Sequence, residues 1–276
     1  DHSVASDIVY LQNLLREYRS GFPVLKELIQ NADDAEATSL DIGWVQGLPD
    51  GGHPLLDGPG LYVVNNGRFT QSNARAIRTI GLSDKGEKPS SIVKFGLGLK
   101  SIFHLCEAFF YLGSDGSPSP NSPLEEWQWR IVNPWSPPVG SDEPALHGEW
   151  DKFPDSAQKA IRSYIQPITG TNRWFCLWIP LRRPQQFGDV EPIHPFSPGN
   201  NAIPTQGILT PLPIREIAAT LPMLGHLTTI RVWFPKPDGP SLEHEISLAP
   251  EARRRRWIPE TAADGQLWPM FGRLIS

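Results

Sequence analysis

Glu27, Asn31 and Asp34 follow one another at spacings of four and three within the run Leu25–Ala35, "LKELIQNADDA". On an α-helix those spacings place the three side chains on one face, beside the apolar stripe of Leu25, Leu28 and Ile29 rather than opposite it. Polar groups so placed sit at the edge of a pocket. A carboxylate there can take a proton from water, and an amide oxygen can ligate a hard cation such as Mg2+. A second cluster is the glycine-rich turn Lys94–Ser101, "KFGLGLKS", which leads toward a helix. Glycines let the backbone approach an anion closely, and the free N–H groups of a helix start hold phosphate oxygens. Each cluster alone has a plainer reading: solvated helix faces carry Glu, Asn and Asp, and glycines before a helix serve tight packing. The turn is also neither GxxxxGK[ST] nor the six-residue dinucleotide fingerprint.

The surrounding pattern supplies the elements that would position these groups. Ile8, Leu11, Leu14 and Leu15 predict a helix over Ala5–Tyr18 that stops at Ser20-Gly21, and a second runs from Phe22 to Ala37. Ser39–Val45 and Gly60–Val64 read as strands, and Thr70–Ile80 as a helix with Thr70 at its N-cap. Gly81–Lys94 is a polar loop, Gly98–Leu105 a helix start, and Cys106–Leu112, Trp127–Val132, Phe175–Leu181 and Leu227–Phe234 are further strands. A helix falls near Ile214–Leu221. Few consecutive strands are joined by a helix, so the expected fold is α+β: a mixed, mainly antiparallel sheet with helices on one face.

In this order and separation the two clusters become specific. "LKELIQNADDA" resembles the E-x-x-x-N-x-x-D-A box of the GHKL ATPases, and "KFGLGLKSIFHL" at Lys94–Leu105 resembles the glycine box that follows their ATP lid. The wording is closest to the sacsin-like members and, beyond them, to the ninety-kilodalton heat-shock chaperones. The resemblance is clear over residues 5–115 and faint over 170–235. It implies a Bergerat-type sandwich that holds ATP between helices and sheet. Position by position, Glu27 matches the general base, Asn31 the Mg2+ ligand and Asp34 a polar wall residue. Gly96, Leu97, Gly98 and Leu99 match the phosphate cradle, and Lys85 a lid lysine, with Lys100 a weaker candidate. The adenine-binding aspartate has no direct counterpart. Asp57-Gly58-Pro59-Gly60 imitates its motif but precedes the strand, so Asn65, just after the strand, is aligned with it. An asparagine can accept from the adenine amino group and donate to a ring nitrogen. Thr171 matches a late-strand threonine near the base.

This reading gives residues 1–240 as the ATP-binding domain and 241–276 as an extension. It implies Mg2+-dependent ATP binding with slow hydrolysis driving conformational change, a client or partner protein, and a nucleotide-dependent homodimer. The alternative is a nucleotide-sensing platform without turnover; Glu27 favours the enzyme, because a pure binder has no use for a water-orienting carboxylate. A histidine-kinase catalytic domain normally lacks that Glu and keeps the aspartate. The formal charge of -5 argues against a dedicated nucleic-acid binder, although Arg253–Arg256 is a local basic run. No stretch reaches the roughly 18 consecutive apolar residues of a membrane span. Cys106 and Cys176 have neither metal-ligand nor disulfide spacing, and the histidines show no ligand pattern, which points to a cytoplasmic protein with a reduced core. The chain has 29 prolines, which cluster in Pro118–Pro154, Pro180–Pro213 and Pro235–Pro259, and these stretches read as long loops between strands.

Overall fold

The computed structural model describes residues 4–17, 20–48, 52–69, 73, 77, 98–114, 129–135, 154–170, 173–183, 191–194 and 213–249. Two helices come first, α1 (Val4–Glu17) and α2 (Phe22–Asp34), followed by strands β1 (Ser39–Val45) and β2 (Gly60–Asn65). A short 3-10 helix (Lys100–His104) leads into β3 (Phe109–Ser114) and β4 (Trp129–Val132). Then come α3 (Asp155–Thr169), β5 (Trp174–Pro180), α4 (Ile214–Thr220), β6 (Thr229–Lys236) and β7 (Gly239–Ser247). Among the described residues the strands form one seven-stranded sheet in the order β4-β3-β5-β2-β1-β6-β7. Every neighbouring pair is antiparallel except β1 and β6. The mixed, mainly antiparallel α/β sheet expected from the sequence is therefore the fold.

Register sorts the central side chains onto two faces. Ile42, Val63, Leu177 and Tyr111 stand in one cross-strand row, and Gly43, Tyr62, Trp178 and Phe110 in the next. Successive residues of a strand point to opposite faces, so these rows belong to different sides. β2 and β5 are buried along their whole length, as strands covered on both faces must be. α2 covers the Val63 face with Val24, Leu25, Leu28, Ile29 and Ala32 buried. The second cover is α3, whose Tyr164 ring meets Tyr62 and Trp178 edge-on at 5.7 and 6.0 Å. Helices thus lie on both faces rather than one. Gly43 makes this packing possible, because a Cβ there would stand 2.2 Å from the Tyr62 ring and hydroxyl.

α3 was not expected from the sequence; it lies between two proline-rich stretches. Its apolar residues Ala157, Ile161 and Ile165 recur every fourth position, and this stripe overrides Pro167 inside the helix. The expected domain boundary at 240 falls inside β7, whose pairing with β6 continues the sheet to Ser247. The parallel pair is locked by Asp41 of β1: it accepts from Arg231 Nε and Nη2 at 2.7 and 3.0 Å, and from Trp233 Nε1 at 2.8 Å. Cys106 and Cys176 are free and buried, and burial pushes both thiols up. No helix among the described residues is long and apolar enough to cross a membrane.

Candidate functional site

α2 starts where Gly21 adopts a φ of 86°, a left-handed turn that glycine allows, and Pro23 sits in the first helical turn. Its C-terminal end is held by Asp33. That carboxylate accepts from the backbone N–H groups of Gly225, His226 and Leu227 at 2.8, 2.6 and 2.8 Å. This ties the helix to the loop that enters β6. Asp34, the residue singled out by the sequence motif, is exposed and does not line the cleft described next.

Between α2 and the Val63 face lies a narrow cleft of about 30 Å³. It brings together Asn31 from α2, Asn65 from the end of β2, and Leu99 from the glycine turn. These residues are far apart in sequence. Leu28, Val63 and Leu177 supply apolar wall. Phe69 and Phe175, also in the lining, stack at 4.2 Å between ring centroids and 20° between planes. Sequence reading missed this aromatic pair; Phe69 stands four residues past Asn65, and only the fold brings Phe175 to it.

Glu27 meets the glycine turn directly. A Cβ on Gly98 would meet the Glu27 carboxylate, which lies against this turn and is not among the residues lining the cleft. Burial raises the Glu27 pKa above its ordinary value; Lys26 draws it down and Asp34 pushes it up. The amide nitrogen of Asn31 is buried and has no hydrogen-bond partner among the described residues. An unpaired buried donor costs about 1–3 kcal/mol, which a ligand can return.

The two consecutive asparagines after β2 have separate tasks. Asn66 binds β1: its Oδ1 accepts from Thr38 N and Ser39 N at 2.9 and 3.1 Å, and its Nδ2 donates to Thr38 Oγ1 at 2.9 Å. Asn65 is buried in the cleft wall, its Oδ1 accepting from Gly67 N at 2.9 Å. Gly67 must be small, because a Cβ would come within 2.7 Å of Ala35 O. The turn that orients Asn65 is thus pressed against the end of α2. Asp57 is exposed ahead of β2 and is not in the cleft lining.

The segment after the glycine turn is anchored at its far end by a buried ion pair. Arg182 Nε donates to Glu107 Oε1, with both side chains within 2% of full burial. Arg182 also donates from Nη1 to His104 O at 2.8 Å and from Nη2 to Cys106 O at 2.9 Å, so it caps the 3-10 helix. Glu107 accepts further from Trp135 Nε1 at 2.9 Å and from Ile193 N at 3.1 Å. Burial pushes the Glu107 carboxyl up, while Arg182 and these donors pull it down. Lys100 is buried beside α1, its Nζ donating to Tyr10 Oη at 3.3 Å and lying 4.7 Å over the Tyr10 ring. His104 is a buried residue of the 3-10 helix. Lys85, Gly96, Leu97, Thr171 and Arg253–Arg256 lie outside the described residues.

The stretch that supplies Glu27, Asn31, Asn65 and Leu99 also decides the relationship. Residues 6–115 match the sacsin domain. The sacsin-like stretch is similar to human sacsin, with 36% identity over 104 residues. That alignment spans 36% of this chain and 2% of sacsin, so the chain corresponds to a small part of that protein. Among solved structures, the N-terminal domain of a DNA repair protein superimposes with a TM-score of 0.39 and 14% identity, over 85% of this chain and 55% of that one. Every described member of the cleft that came from the sequence motifs lies inside the sacsin-like stretch. The sheet it packs on is completed by strands β3 to β7, with β4–β7 beyond that stretch.

Proposed function

We propose that the cleft binds ATP with Mg2+ and that Glu27 activates water for slow hydrolysis, as a chaperone-like module whose closure is coupled to a partner protein. The observation that carries this reading is the convergence of Asn31, Asn65 and Leu99 on one cleft, with the Glu27 carboxylate against Gly98. The polar side chains present suit the nucleotide, and the cleft of about 30 Å³ must widen to admit it. The unpaired Asn31 amide nitrogen can donate to a phosphate oxygen while its oxygen ligates the metal, and the bare Gly98 leaves backbone open beside the base. Bound Mg2+ neutralises phosphate charge. Asn65 reads the base edge, and the Phe69–Phe175 pair offers an aromatic surface beside it.

Glu27 takes the proton of the attacking water. Its raised pKa brings it nearer to the working pH, which favours a general base. A base acts deprotonated, so kcat/KM rises with pH through a pKa above the usual carboxylate value. Glu27→Ala should lower turnover about 10²–10⁴-fold while ATP still binds. The comparison belongs in the longest chain that folds, by single-turnover hydrolysis beside direct ATP titration. Wild-type turnover in the variant removes Glu27 as the base and leaves a nucleotide-binding platform.

A further inference from the structure

α3 carries a second line of side chains beside its buried stripe. Gln158, Arg162 and Gln166 recur at every fourth residue, next to Ala157, Ile161 and Ile165. Together with Lys159 and Ser163 they line an open cleft of about 380 Å³. Gln158 Nε2 and Arg162 Nε and Nη2 are buried, and none has a hydrogen-bond partner among the described residues. A buried guanidinium edge without acceptors is costly, because its N–H groups have lost water and gained nothing. Burial accordingly lowers the Arg162 pKa.

Nε and Nη2 are the edge of a guanidinium that grips two oxygens at once. Arg231 uses that edge on Asp41, at 2.7 and 3.0 Å, and Arg182 gives its Nε to Glu107. Among the described residues Arg162 presents the same edge with no carboxylate against it, and none of those that line its cleft is acidic. Lys159 adds a second positive charge on the same turn of helix. The site lies on the other side of the sheet from the nucleotide cleft, because α3 packs on Tyr62 and Trp178 whereas that cleft is walled by Val63 and Leu177.

We infer that α3 bears an oxoanion-binding site in which Arg162 Nε and Nη2 take two oxygens of a phosphate or carboxylate, Gln158 Nε2 donates to the same anion, and Lys159 supplies charge. Phosphate is the better match, since it offers a third acceptor to Gln158 and a larger charge to the two cations. The site is independent of ATP binding, so its test uses no nucleotide.

The experiment follows the Arg162 Nε–H resonance in the full chain while inorganic phosphate and acetate are titrated separately, for wild type, Arg162→Lys and Arg162→Gln. Wild type should show a saturable shift. Arg162→Lys, which keeps charge but loses the two-pronged edge, should weaken the perturbation of neighbouring α3 amides about tenfold. Arg162→Gln should abolish it, with circular dichroism confirming that both variants fold. Tighter binding of phosphate assigns a phosphate group as the ligand, and tighter binding of acetate a carboxylate; either upholds the site. A resonance that neither anion moves overturns it, as does an α3 response that survives unchanged in Arg162→Gln.

Discussion

The segment from Gly98 to Glu107 meets one polar cluster at each end, and the two are built on opposite terms. At its far end Arg182 and Glu107 are almost wholly buried, and each carries several hydrogen bonds to backbone or side chain. At its near end the Glu27 carboxylate is only half-buried against Gly98, and the Asn31 amide nitrogen is buried without a partner. A polar network whose partners are all present holds a structure in one arrangement. A buried polar group left short of partners costs the empty fold free energy that a ligand can return. The first cluster therefore fixes the position of the glycine-turn helix, and the second faces the cleft through Asn31.

The widest way to break this comparison is to remove one member of the satisfied pair. Arg182→Met leaves the Glu107 charge buried alone, and chemical denaturation should show a loss of about 3–5 kcal/mol. The double variant Arg182→Met/Glu107→Leu should recover part of that, since no lone charge remains. A loss below about 1 kcal/mol in the single variant would mean that the pair is not the anchor described.

An intermediate effect is expected at the base-reading position. Asn65→Ala should weaken ATP binding by about 1–3 kcal/mol in a calorimetric titration, the scale of an unpaired buried polar group. Asp57→Ala, ahead of β2 and outside the cleft lining, should leave affinity unchanged. The opposite ranking would place the base on the Asp57 side.

The smallest change sharpens the contrast most. Asn31→Ala should leave the nucleotide-free protein as stable as wild type or more so, because its buried amide nitrogen has no bond to lose among the described residues. Denaturation midpoints of Asn31→Ala and Arg182→Met, measured side by side, test this. Equal destabilisation would erase the distinction between the two clusters.

What could be read from sequence was whatever short-range periodicity encodes. The spacing of Glu27 and Asn31 within a helical stripe, and the position of Asn65 at a strand end, needed no long-range information, and both asparagines line one cleft. α3 was not anticipated: it lies between two proline-rich stretches and contains Pro167, although Ala157, Ile161 and Ile165 keep helical spacing. β7 was hidden because its central residues, Leu242–Glu245, are exposed on the edge of the sheet and show no buried face to alternate. The Arg182–Glu107 pair joins residues 75 apart, and Asp33 reaches a loop 192–194 residues away. No local pattern announces such contacts. They follow only from the strand order that brings β5 beside β3 and the β6 entrance beside α2.

The measurement closest to the central claim is the melting transition of the folded chain with ATP, with and without Mg2+. A ligand that binds only the folded state adds about 2.7 kcal/mol of stability at a hundred times its dissociation constant. Because Asn31 is positioned to share the cation with the phosphates, ATP with Mg2+ should raise the midpoint clearly, and ATP with a chelator much less. Asn31→Ala should lose most of that difference while it melts no lower than wild type without nucleotide. A midpoint that millimolar ATP and Mg2+ leave unmoved, in protein shown to be folded, would contradict the assignment of this cleft to nucleotide.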